Sequence, residues 1–278
     1  MRRKIFILSL VGALLISFTP AWADFYVVAV GGGVGTKITS VPYTITTPGF
    51  YFLPQNLTYA SATGNAITVD ASNVTIDLMG LCITGPGKES GVNRGIDILA
   101  NRANIEIRNG SLQSFGEHSI HALSSANNVR VMGMRVSDNK NSGIRLNSNN
   151  NVVINCTAYD NDSSGIYVSY GSLVKGCQAR NNGVGITTNY GSMVVGNVCQ
   201  DNSTGIWVEY GSSVLDNTVY SNSNRGIIAW SFSNISRNTA YVNGAEGLNA
   251  GDKCTIIGNS LDGLVKGADC VEADNVVH

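Results

Sequence analysis

After residue 18 the chain shows no long apolar run; apolar and polar positions alternate in short bursts instead. Many bursts open with a Gly followed by an aliphatic residue, as in Ile144-Arg145-Leu146, Ile166-Tyr167-Val168 and Ile206-Trp207-Val208. Alternation with period two predicts a strand with one buried face. A second apolar segment follows each burst, for example Val152-Val153-Ile154, Leu173-Val174, Met193-Val194-Val195 and Val214-Leu215. A third is shorter and centres on Ala158, Ala179, Val219 or Ala240. Asn, Gly, Asp and Ser separate the segments, and these are turn formers.

The bursts recur at a fixed distance. Gly95, Ser119, Gly143, Gly165, Gly185, Gly205, Gly226 and Gly247 open them, at intervals of 24, 24, 22, 20, 20, 21 and 21 residues. A sustained period of this length marks a solenoid. Three short strands per repeat, with no helical run between them, predict an all-β parallel β-helix of about ten coils of 20–24 residues, each repeat being one coil. A leucine-rich horseshoe has a similar period, but its Leu ladder is missing.

Stacking coils about 4.8 Å apart brings equivalent residues together. Tyr-Gly-Ser occurs at Tyr170, Tyr190 and Tyr210, twenty residues apart. The Tyr residues should form a column at a corner. Each Gly would supply a turn with positive φ, and each Ser a bond to the turn backbone. Asn161, Asn181, Asn222 and Asn243 lie four residues before their Gly. They predict an amide ladder along the stack.

The N-terminal part differs. Arg2, Arg3 and Lys4 precede an apolar run over residues 5–18, and Ala21 and Ala23 form a small-residue cleavage site. This pattern predicts a signal peptide over residues 1–23 and a secreted or periplasmic protein with no membrane span once the leader is removed. Residues 24–64 are rich in Pro and read as an N-terminal cap over the first coil's edge, with the helix proper over residues 65–278. The glycine-rich residues 30–37 lack the strand-to-helix context of a phosphate loop and read as a hinge.

Composition narrows the function. Charged residues make up 13% and the net charge is −1, which gives no field for nucleic acid. Residues 88–145 carry eight basic and five acidic side chains, against six basic and eleven acidic beyond Arg145. The six Cys include no C-x-x-C pair, so no zinc site or other metal site is expected, and no cofactor signature is present. Cys156 and Cys177 read as small buried residues, whereas for Cys254 and Cys270, near the end of the chain, a disulfide and two free thiols both stay open. A monomer is expected.

The phrases "ITSVPYTITTPGFYFL", "NVTIDLMG" and "NIEIRNGSL", with the recurring Gly-Ile coils, resemble the right-handed parallel β-helix repeat proteins of the pectate-lyase-like superfamily, in a bacterial secreted group. The resemblance covers nearly the whole chain after the leader and implies a single-stranded right-handed helix. It also implies a protein that binds, cleaves or isomerises acidic polysaccharide; other members have no known activity. Known catalytic signatures are missing. The last Pro is Pro86, which excludes R-x-P-x-x-R from the coils, and there is no D-P-H, no Asp-Asp pair and no G-H-G.

One constellation remains. The middle residue of each burst should point outward, and in coil order these are Asp97, His121, Arg145, Tyr167, Thr187, Trp207, Ile228 and Asn249. Arg145 suits a carboxylate. His121 and Tyr167 suit proton transfer, and Trp207 offers a flat face to a sugar ring. Asp97 completes the run, and Glu209 lies two residues beyond Trp207. Arg130 and Arg135 are expected to add positive charge nearby, and His118 reads as a turn residue. Two classes follow: a polysaccharide-binding protein, with lyase, epimerase or hydrolase activity as its enzymatic form, and a non-catalytic structural or surface-interaction solenoid.

Overall fold

A computed structural model of the protein describes residues 35–278. The proposed leader and residues 30–34 of the glycine stretch lie outside the described residues. Every strand pairing in the described part is parallel. One sheet has eleven strands in strict chain order, from Tyr43–Ile45 to Leu264–Lys266, one from each turn of the coil. The other has twenty-one strands, because most turns contribute two to it. No helix occurs among the described residues. The expected parallel β-helix is therefore what the chain forms.

The periodic bursts build the eleven-stranded sheet. Ile120, Ile144, Ile166, Ile186, Ile206 and Ile227 pair in register and are fully buried. They face Val131, Val153, Val174, Val194 and Val214 of the other sheet, which are fully buried as well. A column of β-branched residues repeating at the inter-strand spacing fills the interior without large rings. Described residues of the expected cap contribute strands of their own. Gly49–Phe52 pairs with Val74–Asp77, and Tyr43–Ile45 with Thr63–Val69.

Each of the three residues of Tyr-Gly-Ser has a structural task. Gly171, Gly191 and Gly211 have φ of +63°, +64° and +64°, the left-handed region that favours Gly. Ser172 and Ser192 accept a backbone N–H from the preceding coil at 3.1 and 3.2 Å. The Tyr rings meet edge to face at 5.3 and 5.4 Å, and Trp230 extends the column at 5.0 Å.

The amide ladder exists with one residue changed. It runs through Asn161, Asn182, Asn202, Asn222 and Asn243, and each Oδ1 after the first accepts the backbone N–H of the ladder residue before it. Asp262 closes it by accepting from the Asn243 N–H at 2.7 Å. Asn181 is not a member. It is exposed at φ +54° and donates to Asp160 Oδ1. The corner needs a left-handed residue at that point, and Asn tolerates the conformation, so the inward amide falls one residue later. A second ladder, of Asn197, Asn217, Asn238, Asn259 and Asn275, holds another corner. Cys177 leads into it, donating its N–H to Asn197 Oδ1 at 2.8 Å. Cys156 and Cys177 are buried, as their repeat position predicts. Cys254 and Cys270 sit at aligned positions of adjacent turns as free thiols.

Candidate functional site

The register of the outward column is as the periodicity predicts. Asp97 pairs with His121, His121 with Arg145, Arg145 with Tyr167, Tyr167 with Thr187, and Thr187 with Trp207. Ile228 and Asn249 continue it. Exposure along the column is not uniform. Asp97 and His121 are only 3% and 5% exposed, whereas Trp207 is 37% exposed. The first two were expected as open surface groups. They are covered because polar neighbours from adjoining turns close around them.

Asp97 is held from three sides. Its Oδ1 lies 2.6 Å from His121 Nδ1 and 3.4 Å from Arg94 Nη1, and its Oδ2 accepts from Asn65 Nδ2 at 3.2 Å. Arg94 also pairs with Glu117, Nε to Oε2, at 2.6 Å. His121 Nε2 lies 3.1 Å from Asn147 Nδ2. Both imidazole nitrogens are therefore engaged. Asp97 fixes the orientation of the ring, as an orienting carboxylate does for a histidine base.

His118 lies in the bend before the strand Ile120–Ala122, as the sequence reading has it, but its part in the cluster was not foreseen. It is 7% exposed, and its ring stacks on His121 at 5.3 Å with a 14° interplanar angle. Its Nδ1 lies 3.1 Å from the Ser142 backbone nitrogen and 3.3 Å from the Ser142 carbonyl oxygen. Burial first, then the charges of His121 and Arg145, push its pKa down to about 3. His118 belongs to a second outward column, three residues upstream of the first, with Asn65, Arg94, Ser142 and Ser164. That column is visible in the sequence as the residue before each opening Gly or Ser, or, for Asn65, before Ala66.

Arg145 is half-buried, and its guanidinium lies over the Tyr167 ring at 4.6 Å. No carboxylate reaches ion-pair distance of it among the described residues, whereas Arg94, Arg102, Arg108, Arg225 and Arg237 are each paired. The Tyr167 hydroxyl donates to Asn189 Oδ1 at 3.3 Å. Glu209 follows the strand Thr204–Val208 and is half-exposed. Arg130 and Arg135 do not join this site. They stand on the strand Asn127–Ser137 of the other sheet, where Arg130 lies 4.0 Å from Glu106 and Arg135 donates to Ser111. Nearness in sequence misled there, because one turn passes through both sheets.

The chemistry of the cluster is that of anion recognition beside a held imidazole. Arg145 offers an unpaired fork of donors, His121 an oriented ring, and Tyr167 a phenol beneath the guanidinium. No group of three or more His, Cys, Asp or Glu side chains is placed to hold a metal ion among the described residues.

Comparison with known proteins agrees with this architecture. The family model of the right-handed β-helix region matches residues 55–197 and 95–243, and the chain belongs to that family. No curated protein matches its sequence. Among solved structures, the A-module of the mannuronan C-5 epimerase AlgE6 from Azotobacter vinelandii is similar, with a TM-score of 0.60 and 14% identity over 82% of this chain and 83% of that one. A mutant of the periplasmic alginate epimerase AlgG gives a TM-score of 0.57 and 12% identity over 84% and 78%. The enzymatically active domain of tailspike protein 2 of bacteriophage CBA120 gives 0.63 and 15% over 86% and 47%. At these identities the likeness is one of fold.

Proposed function

We propose that the protein binds an acidic polysaccharide along the face of its eleven-stranded sheet, in a secreted or periplasmic setting. The observation that carries this reading is Arg145, a cation without a carboxylate, in register with Asp97, His121 and Tyr167. A uronate carboxylate fits the guanidinium as a bidentate partner. Two of the similar structures are named for epimerases of mannuronan or alginate, which supports a uronan-like ligand by analogy of fold only.

A catalytic form of the reading rests on the Asp97–His121 pair. With Arg145 neutralising the carboxylate, the proton on the adjoining sugar carbon becomes more acidic. A base would take that proton, and the electron pair would pass towards the carboxylate. Return of a proton to the other face gives epimerisation; loss of the neighbouring glycosidic oxygen gives elimination. His121 and Tyr167 are the candidate proton carriers. Both nitrogens of His121 are occupied, so Asn147 must give way before the ring can accept a proton. That geometry favours binding as the primary function.

Titration of the full chain with a panel of uronans, in low and high salt, tests the reading. Binding should weaken with salt and fall at least tenfold in Arg145→Ala. An ultraviolet-absorbing product or solvent exchange of the sugar proton would add catalysis. No binding to any uronan would leave the solenoid as a structural or surface-interaction element.

A further inference from the structure

The face that carries Arg145 is divided along its length. Its first half is charged: Arg94, Asp97, Glu117, His118, His121 and Arg145 gather over three successive strands, Val92–Ile98, Ile120–Ala122 and Ile144–Leu146. Its second half is aromatic. On strands Ser164–Val168, Val184–Thr188, Thr204–Val208 and Arg225–Ala229, and in the residues leading from them to the corner, only Glu209 and Arg225 are charged. Arg225 is held by Glu246 at 2.5 Å, so Glu209 is the one unpaired charge of this half.

Beside it runs the column of Tyr170, Tyr190, Tyr210 and Trp230, whose side chains are 37–45% exposed. Among the described residues, the hydroxyls of these three Tyr make no hydrogen bond to the protein, whereas the Tyr220 hydroxyl on the other sheet is bonded to Gln200. The ring centroids follow one another at 5.3, 5.4 and 5.0 Å, close to the length of one pyranose unit with its linkage. Trp207 adds a fifth exposed ring on the neighbouring strand column. Glu209 immediately precedes Tyr210 in the chain and so stands at this column; desolvation first, and the Glu209 charge second, raise the Tyr190 hydroxyl above its ordinary pKa.

We infer that the glycan on this face is a heteropolymer, with a uronate in the Arg145 subsite and neutral sugars over the aromatic column. The inference rests on the acidic-polysaccharide reading above and narrows it. In a homouronan every ring carries a carboxylate. Those over the aromatic half would meet Glu209 and no free cation, a like-charge arrangement that opposes binding. Neutral rings instead place their apolar C–H faces on the aromatic side chains, and their hydroxyls can bond to the unpartnered phenols. The stack of Arg145 on Tyr167 joins the two halves without a gap.

The experiment compares three probes on the full chain by calorimetry: polygalacturonate, deacylated gellan with one glucuronate among neutral sugars in each repeat, and the same gellan after reduction of its carboxylates. Gellan should bind at least tenfold more tightly than polygalacturonate. Reduction of its carboxylates and Arg145→Ala should each cost at least tenfold. Tyr190→Ser with Tyr210→Ser should cost gellan at least tenfold and leave the weaker polygalacturonate binding unchanged. Glu209→Lys, which leaves the aromatic column in place, should raise polygalacturonate affinity several-fold even where the Tyr variants fold poorly. Equal binding of the two acidic polymers, with Glu209→Lys silent, overturns the heteropolymer and leaves the acidic-polysaccharide reading intact. Binding of neither acidic polymer removes both.

Discussion

Two stretches of one sheet are built by the same rules and end differently. From Ser164 to Ala229 the turns are 20 or 21 residues long, and the inner, ladder and corner columns stack like on like, Ile on Ile, Asn on Asn and Tyr on Tyr, while the outward column runs Tyr167, Thr187, Trp207 and Ile228 without a charge. From Val92 to Leu146 the opening residues are 24 apart, and unlike residues stack instead: Asp on His, His on Arg. Repetition of one side chain along a solenoid is a stability device, since each copy satisfies the next. A run of charged residues at outward positions, with the inner Ile column unbroken, places complementary groups side by side and buries Asp97 and His121. Burial of such groups costs free energy unless they are paired. Asp97 and His121 are satisfied within the cluster. Arg145 is the one whose partner is not supplied by the chain.

The regular stretch should be the more fragile in stability. Asn202 accepts from the Asn182 backbone at 2.9 Å and donates to Ala179 O at 3.1 Å, inside the coil. Asn202→Ala strands buried backbone groups, and urea unfolding should show a loss of about 2–3 kcal/mol. Asn181→Gly, one turn earlier and on the surface, keeps the left-handed φ of +54° that this corner needs and should change stability by less than about 0.5 kcal/mol. Equal losses at the two positions would erase the difference between ladder and corner.

The irregular stretch should be fragile in binding. Arg145→Ala should weaken an acidic glycan about tenfold to thirtyfold, the worth of a charge-assisted hydrogen bond, with little change in the melting temperature. Arg145→Lys should recover part of it, as Lys keeps the charge and loses the fork. A melting temperature that falls with affinity in Arg145→Ala would show that Arg145 supports the coil rather than the ligand.

The sequence carried the fold because parallel stacking converts a periodic sequence into in-register neighbours with nothing left to adjust. The positions of Asp97, His121, Arg145, Tyr167 and Trp207 relative to one another followed from counting from Gly or Ser. What could not be counted was depth. Whether Asp97 and His121 lie open or closed depends on Asn65 and Arg94, whose side chains reach Asp97, and on Asn147, which reaches His121, all from other columns. The part of His118 was missed for the same reason: it stands in the bend just before the burst, and its burial against His121 comes from the folded turns, not from its position in the repeat. The ladder slipped from Asn182 to Asn181 because two adjacent Asn residues are indistinguishable until the corner's positive φ selects one.

His118 also gives the irregular stretch a pH signature that the regular one lacks. Its folded pKa, about 3, lies below the ordinary value of 6.5. The unfolded chain then binds the additional proton between these values, so stability rises with pH across that window. The contribution is complete above about pH 6.5 and is lost progressively as the pH falls towards 3. At pH 5 the loss should be on the order of 1–2 kcal/mol. Melting curves from pH 7 to pH 4 should fall more steeply for the native chain than for His118→Asn. Parallel curves would place the protonation elsewhere.

The smallest expected effect concerns the aromatic column, and it separates a prop from a platform. Tyr190 touches Tyr170 and Tyr210 edge to face, at 5.3 and 5.4 Å. Such pairs contribute about 1 kcal/mol beyond the area they cover. Tyr190 is 43% exposed, and the Gly191 turn and the Ser192 bond beneath it do not depend on the ring. Tyr190→Ala should therefore cost about 1 kcal/mol in urea unfolding and leave the β-sheet circular dichroism unchanged. Tyr190→Phe removes only the hydroxyl, which has no partner in the protein, and should leave stability as it is. If Tyr190→Phe lowers glycan affinity while stability holds, the free phenol is a contact with the ligand. If Tyr190→Ala costs several kcal/mol instead, the column is a structural spine of the regular stretch, and the aromatic half of the face exists to hold the coil.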